Sequence, residues 1–194
     1  MKNRILLPLT AFIIFSVFSA GSLSAQAHQQ GQLGITANVG YSLVSALFQL
    51  ADISSDQITS IPVVTGMVDY GVADQFSIGG AVSYQSISAN DVDINQANVK
   101  NTLSCLNIGV RPLFHFGNSD DLDMYAGIRV GYTRWSASTT STDPAYDPLE
   151  TYNIPGLVSL QPLLGGTYYF GPVGINGEIG LGTYIAALGV KVKI

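Results

Sequence analysis

Residues 33–43 read LGITANVGYSL. Leu33, Ile35, Ala37, Val39, Tyr41 and Leu43 alternate with Gly34, Thr36, Asn38, Gly40 and Ser42. A period of two marks a strand with one apolar and one polar face. Such a strand suits two opposite architectures. With its apolar face inward it belongs to a water-soluble sheet. With that face outward, the surrounding solvent is lipid.

The same alternation recurs down the chain and predicts eight strands, at 31–44, 62–72, 76–86, 102–116, 122–135, 157–170, 173–183 and 186–194. In the fifth, for example, Leu122, Met124, Ala126, Ile128, Val130 and Tyr132 share a face. Strands of about ten residues alternating in this way are the pattern of a transmembrane barrel. The short links test the phase, because antiparallel neighbours must keep like faces together. The link at 73–75 sets Val72 against Phe76, and 117–121 sets Phe116 against Leu122. Gly171-Pro172 sets Phe170 against Val173, and a turn at Tyr184-Ile185 sets Ile179 against Val190. All four keep apolar beside apolar. Long links at 45–61, 87–101 and 136–156 alternate with the short ones, the plan of barrels with external loops and tight periplasmic turns. The fold expected is all-β, a closed eight-stranded antiparallel transmembrane barrel in up-and-down order.

Composition points the same way. Charged residues are 11% of the chain, against about 25% in ordinary soluble domains. A soluble eight-stranded barrel would need Lys, Glu, Asp and Arg on its outer face, whereas the polar face here is mostly Gly, Ser, Thr and Asn. Aromatics cluster near strand ends on the apolar face. Tyr70, Phe76, Phe114, Phe116, Tyr168 and Phe170 lie by the short turns, and Tyr41, Tyr84 and Tyr132 lie toward the long links. Trp135 at the base of the third long link is expected in the outer headgroup region. Two such belts are what the interfaces of a bilayer select.

The first residues, MKNRILLPLTAFIIFSVFSAGSLSAQA, carry Lys2 and Arg4, an apolar run from Ile5 to Phe18, and the small-x-small pattern Ala25-Gln26-Ala27. This predicts a secretory signal peptide over 1–27, followed by one barrel domain over 28–194. That domain holds six basic and thirteen acidic side chains, a net charge of −7. It offers no basic patch for nucleic acid. Cys105 stands alone, so the fold needs no internal disulfide.

The segments DYGVADQFSIGGAVSY (69–84) and GPVGINGEIGLGTYIAALGVKVKI (171–194) resemble the first periplasmic hairpin and the last two strands of small bacterial outer-membrane barrels. The chain resembles the eight-stranded outer-membrane β-barrel domain family, especially forms common in Bacteroidota. The resemblance implies residence in the outer membrane, with its lipid and lipopolysaccharide and the barrel-assembly machinery as partners. The family has structural, adhesive and small-pore members, so it does not choose a task.

The polar face bears Asp69, Arg111, Asp123, Arg129, Glu178, Lys191 and Lys193. An eight-stranded barrel is just wide enough inside for side chains, and buried charges need partners. An ionic network of Asp69, Arg111, Arg129, Glu178 and Lys191 is expected to fill the lumen. The turn lengths set Glu178 opposite Lys191, Arg111 opposite Gly127 and Arg129 opposite Gly109. Catalysis is not expected. His28 falls on a floppy terminus and His115 two residues from a tight turn, neither beside a nucleophile as a Ser–His–acid site requires. Two histidines and one cysteine offer no transition-metal cluster, and no cofactor is expected. Asp91-Val92-Asp93-Ile94-Asn95 starts like a calcium loop, but Gln96 and Thr102 stand where Gly and Glu are required. The task expected is non-enzymatic: a structural or surface-interaction role through links 45–61, 87–101 and 136–156, with an unknown surface ligand. A narrow channel or conduit is the alternative, and an outer-membrane hydrolase a third reading.

Overall fold

The computed structural model describes residues 27–46, 58–92, 98–116, 119–141 and 152–194. Eight strands run in chain order: β1 (Leu33–Tyr41), β2 (Ile58–Ala73), β3 (Phe76–Val92), β4 (Asn98–His115), β5 (Leu122–Ser141), β6 (Tyr152–Phe170), β7 (Val173–Gly180) and β8 (Ala186–Lys193). Each pairs antiparallel with the next, and β8 pairs with β1, so hydrogen bonds close the sheet into a ring. Most of residues 1–27, and most of the acidic external links, lie outside the described residues.

The faces are inverted relative to a soluble protein. Apolar side chains such as Ile108, Val110 and Ile128 point outward and are exposed, while Arg111 and Arg129 are each only 1% exposed. Exposed alternating Val, Ile, Leu and Tyr around the whole ring is tenable only where the outer solvent is apolar. Over the height at which all eight strands pair, the closed sheet satisfies the ladder N–H and C=O groups without water.

Strands β2 to β6 are longer than the alternation predicted, at 16–20 residues. β7 and β8 have eight residues each and β1 has nine. The wall is therefore tall on one side and low on the other at the long-link end. Pairing of β6 with β7 ends at Leu163↔Gly180, and pairing of β1 with β2 ends at Gly40↔Val63. Above those points, among the described residues, the outer edges of β2 and β6 pair with no strand.

Three register expectations are corrected. β4 and β5 pair through Val110↔Val130 and Leu113↔Gly127, two residues from the expected alignment. Arg111 therefore does not face Gly127; the register places it opposite Arg129, and Gly109 faces Gly131. The β7–β8 connection is not a two-residue turn at 184–185 but spans 181–185, which shifts the pairing by four. Glu178 pairs with Ala187, and Lys191 with Gly174. The extra length lets Tyr184 leave the wall and turn inward, where it is fully buried against Val63 and Ala187. Parity survives all these slips, because each is an even number of residues.

Candidate functional site

At mid-lumen, side chains of β4, β5 and the β7–β8 connection converge on Glu178 of β7. Arg111 Nη2 donates to Glu178 Oε2 at 2.7 Å, and Tyr125 OH donates to the same oxygen at 2.9 Å. Tyr184 OH donates to Oε1, and Arg129 Nη2 lies 4.0 Å from that oxygen. Arg129 also donates to Tyr184 OH at 3.0 Å and to Ser83 Oγ at 3.1 Å. Asp69 Oδ1 sits 3.4 Å from Arg111 Nε, an ion pair without hydrogen-bond alignment. Met67 Sδ touches both guanidinium groups. Asp69, Arg111, Arg129 and Glu178 thus form one cluster. The guanidinium carbons lie over the rings of Tyr125 and Tyr184, at 5.6 and 5.3 Å from the centroids. The cluster is closed laterally by Asn176, which donates to Tyr125 OH at 2.8 Å and accepts from Asn38 at 2.8 Å. These side chains are buried, Asp69 at 5% exposure and the rest at 2% or less.

Lys191 is not part of that cluster. Its Nζ lies 3.5 Å from Asp123 Oδ2, at the short-turn end of the lumen, and 5.5 Å over the Tyr125 ring. Lys193 Nζ sits 4.4 Å over the Tyr169 ring nearby.

The same end holds a constellation the sequence reading did not find. Ser77 Oγ lies 2.8 Å from His115 Nε2, and His115 Nδ1 lies 2.6 Å from Asp123 Oδ1. Three consecutive strands, β3, β4 and β5, supply one residue each. Neither is His28 floppy: its ring stacks on His115 at 3.6 Å with an interplanar angle of 1°. It rides on a segment, 27–32, that is bonded into the mouth. Gly31 N donates to Gly71 O, Gly71 N to Gln32 O, and Gln30 N to the Asp74 carboxylate. Ser77–His115–Asp123 has the connectivity of nucleophile, base and acid. With the segment seated over it, however, Ser77 is buried away from both water and lipid, so the chain of bonds is structural in this arrangement. The signal that could have revealed it is parity: Ser77, His115 and Asp123 all fall on the polar face beside two tight turns.

At the other end, a cavity of about 260 Å³ opens above the central layer, lined by Gln85, Cys105, Thr133, Trp135, Gln161 and Thr183 among others. Trp135 therefore does not stand in the outer headgroup belt. It is paired with Cys105 on the inner side, two residues along β5 from Thr133, so alternation alone places it on the cavity face; the bulge beside it lies on the β6 side of the pairing. Tyr41, Tyr70, Phe76, Tyr84, Phe114, Phe116, Tyr132, Tyr168 and Phe170 are all exposed on the outer face. Phe76 packs on Phe114 with ring centroids 5.1 Å apart, and Tyr168 packs on Phe170 at 5.0 Å.

Solved structures share this architecture. Ail, the attachment invasion locus protein of Yersinia pestis, in complex with the heparin analogue sucrose octasulfate, aligns with TM-score 0.51 at 8% identity, over 86% of this chain and all of that one. A de novo designed transmembrane β-barrel aligns with TM-score 0.50 at 14% identity, over 86% of this chain and 98% of that one. The N-terminal barrel domain of Pseudomonas aeruginosa OprF gives TM-score 0.44 at 16% identity, over 85% and 98%. At these identities the likeness is one of fold alone. No curated protein matches the chain by sequence. The outer membrane protein β-barrel domain model matches residues 13–187, nearly the whole length, and the chain belongs to that family.

Proposed function

We propose that this protein is a non-enzymatic integral outer-membrane barrel that acts by surface interaction, through the tall external part of β2–β6 and the links that join it. The observation that carries this is the uneven wall combined with the filled lumen. Five strands continue past the point where β7, β8 and β1 stop, and a free strand edge is a template for a partner's main chain. The buried central Arg111–Glu178–Arg129 layer supports a plugged lumen over a path for solutes. Export by a cleaved signal peptide over 1–27 completes the reading.

The chemistry of the surface partner follows from charge. The external links carry Asp52, Asp56, Asp93, Asp143, Asp147 and Glu150. An acidic rim repels a polyanion such as the sulfated glycan analogue seen with Ail, and favours a cationic protein segment.

The experiment has two arms. In planar bilayers the wild-type protein shows no steady conductance; a stable ohmic conductance would move the reading to a narrow channel. On cells, replacing 45–57 and 142–151 by tight turns abolishes adhesion to basic protein surfaces while the heat-dependent gel shift of the folded barrel persists. Adhesion unchanged by both replacements would sink the surface-interaction role.

A further inference from the structure

His28, His115 and Asp123 lie together at the short-turn mouth, outside the central network, and each offers a ligand atom within 4.8 Å of the others. We propose that they form a binding site for a divalent transition-metal ion of the zinc class. Two imidazole nitrogens and a carboxylate oxygen are a donor set that Zn²⁺ and Co²⁺ accept, with a fourth position left for water.

The arrangement has the outer partners such a site needs. Ser77 Oγ holds His115 Nε2 at 2.8 Å, and the Ala73 carbonyl holds His28 Nε2 at 3.3 Å. The Ala73 carbonyl can only accept, so His28 spends Nε2–H on it and presents Nδ1, while Ser77 Oγ can donate to or accept from His115 Nε2 and accepts when Nδ1 is given to the ion. His115 Nδ1 now shares a hydrogen with Asp123 Oδ1 at 2.6 Å. An entering cation takes that hydrogen's place between the same two atoms, and the neutral imidazole carries its one hydrogen on Nε2, donated to Ser77 Oγ. The second carboxylate oxygen, Asp123 Oδ2, is buried and accepts no hydrogen bond; only the Lys191 ammonium stands near it, at 3.5 Å.

Two ligands sit on neighbouring rigid strands, so the third decides whether the set can close. Ligand atoms around a tetrahedral ion stand about 3.4 Å apart, so His28 must come in by roughly 1 Å while His115 Nδ1 and Asp123 Oδ1, now 2.6 Å apart, open by a similar amount. His28 can supply this by tilting out of its parallel stack, because it rides on the segment 27–32 rather than on a ladder. That segment is admitted by Gly71. A Cβ there would run into the Gln29 carbonyl oxygen and reach His28 Cε1 at 3.2 Å. The opposing charges are the two lysines on β8, Lys191 and Lys193. A bound ion would pin the N-terminal segment to the barrel mouth.

The test uses untagged protein purified from membranes in detergent, stripped with EDTA and titrated with Zn²⁺ and Co²⁺. The expected result is one ion per chain and visible Co²⁺ bands of tetrahedral intensity. His28→Ala lies off the strands and leaves the heat-dependent gel shift intact, yet weakens Zn²⁺ binding at least tenfold. Gly71→Ala does the same by displacing the segment. Lys191→Met strengthens binding by removing the competing cation. No stoichiometric binding, or equal affinity in His28→Ala and wild type, overturns the site and leaves a hydrogen-bonded stack in its place.

Discussion

Arg111 Nη2 and Glu178 Oε2 stand 2.7 Å apart in a lumen where neither side chain touches water. Arg129 and two tyrosine hydroxyls complete the shell around the carboxylate. Removing one partner of a buried pair leaves the other charge uncompensated, at a cost of about 3–5 kcal/mol. Glu178→Gln strands two guanidinium groups and is expected to lower the urea-unfolding free energy in lipid vesicles by that amount. Arg111→Met combined with Glu178→Gln should cost less than the sum of the single changes, with a coupling of roughly 0.5–3 kcal/mol. Strict additivity would show that the pair is screened or not formed.

The outer and inner faces of β5 should respond oppositely to the usual rules. Ile128 is 42% exposed on the outer face, and an arginine there meets hydrocarbon, at about 2–4 kcal/mol. Gly127, the next residue, faces inward, and its hydrogen looks harmless to enlarge. A Cβ at Gly127 would however collide with the Pro112 carbonyl oxygen and meet Leu113 Cδ2 at 2.7 Å. Backbone cannot yield as a side chain can, so Gly127→Ala is also expected to destabilise. Folding titrations in vesicles of both variants check this. Ile128→Arg tolerated at wild-type stability would mean the faces are reversed.

Ser77 has the partners of a nucleophile but no access. A fluorophosphonate probe is expected to leave it unlabelled in the folded protein at neutral pH. Labelling that His115→Gln abolishes would instead make the mouth a hydrolytic site.

Cys105 offers a cheap report on the interior. Its thiol is buried beside Trp135 in the upper cavity. A bulky maleimide should modify it slowly before boiling and rapidly after. Rapid modification of the unboiled form would show the cavity open to bulk solvent.

Face assignment was legible in the sequence because it depends only on parity, and parity is preserved by every even slip of register. Register itself was legible at two short links: across 73–75, β2 and β3 keep the expected alignment from Val64↔Tyr84 to Gly71↔Ser77, until a bulge sets Ala73 rather than Val72 opposite Phe76. Gly171-Pro172 fixed Phe170 opposite Val173, as found. The β7–β8 alignment was not legible, because Tyr184 reads as a turn residue until one sees that Glu178 and Arg129 need its hydroxyl. Long-range convergence was likewise hidden. Glu178 meets Arg111 across 67 residues, and no local spacing encodes that distance. Trp135 misled because it was read from its place at a strand end, although it follows Arg129, Gly131 and Thr133 on the inward face of β5 by plain alternation. His28 misled because a segment before the first strand reads as a loose end until Gly71 is seen to make room for it.

The closing pair of the ring also dictates an order of assembly. Asn38 on β1 bonds Asn176 on β7 across 138 residues, and β8 seals against β1. That contact carries the largest loop-closure penalty in the molecule and forms slowly. Until it forms, the guanidinium and carboxylate groups of the interior lie beside an open seam. A half-zipped ribbon would present those charges to hydrocarbon. The ionic layer therefore acts as a checkpoint: it is tolerable in the membrane only once the last seam is shut, which ties completion of the cylinder to its entry into the bilayer.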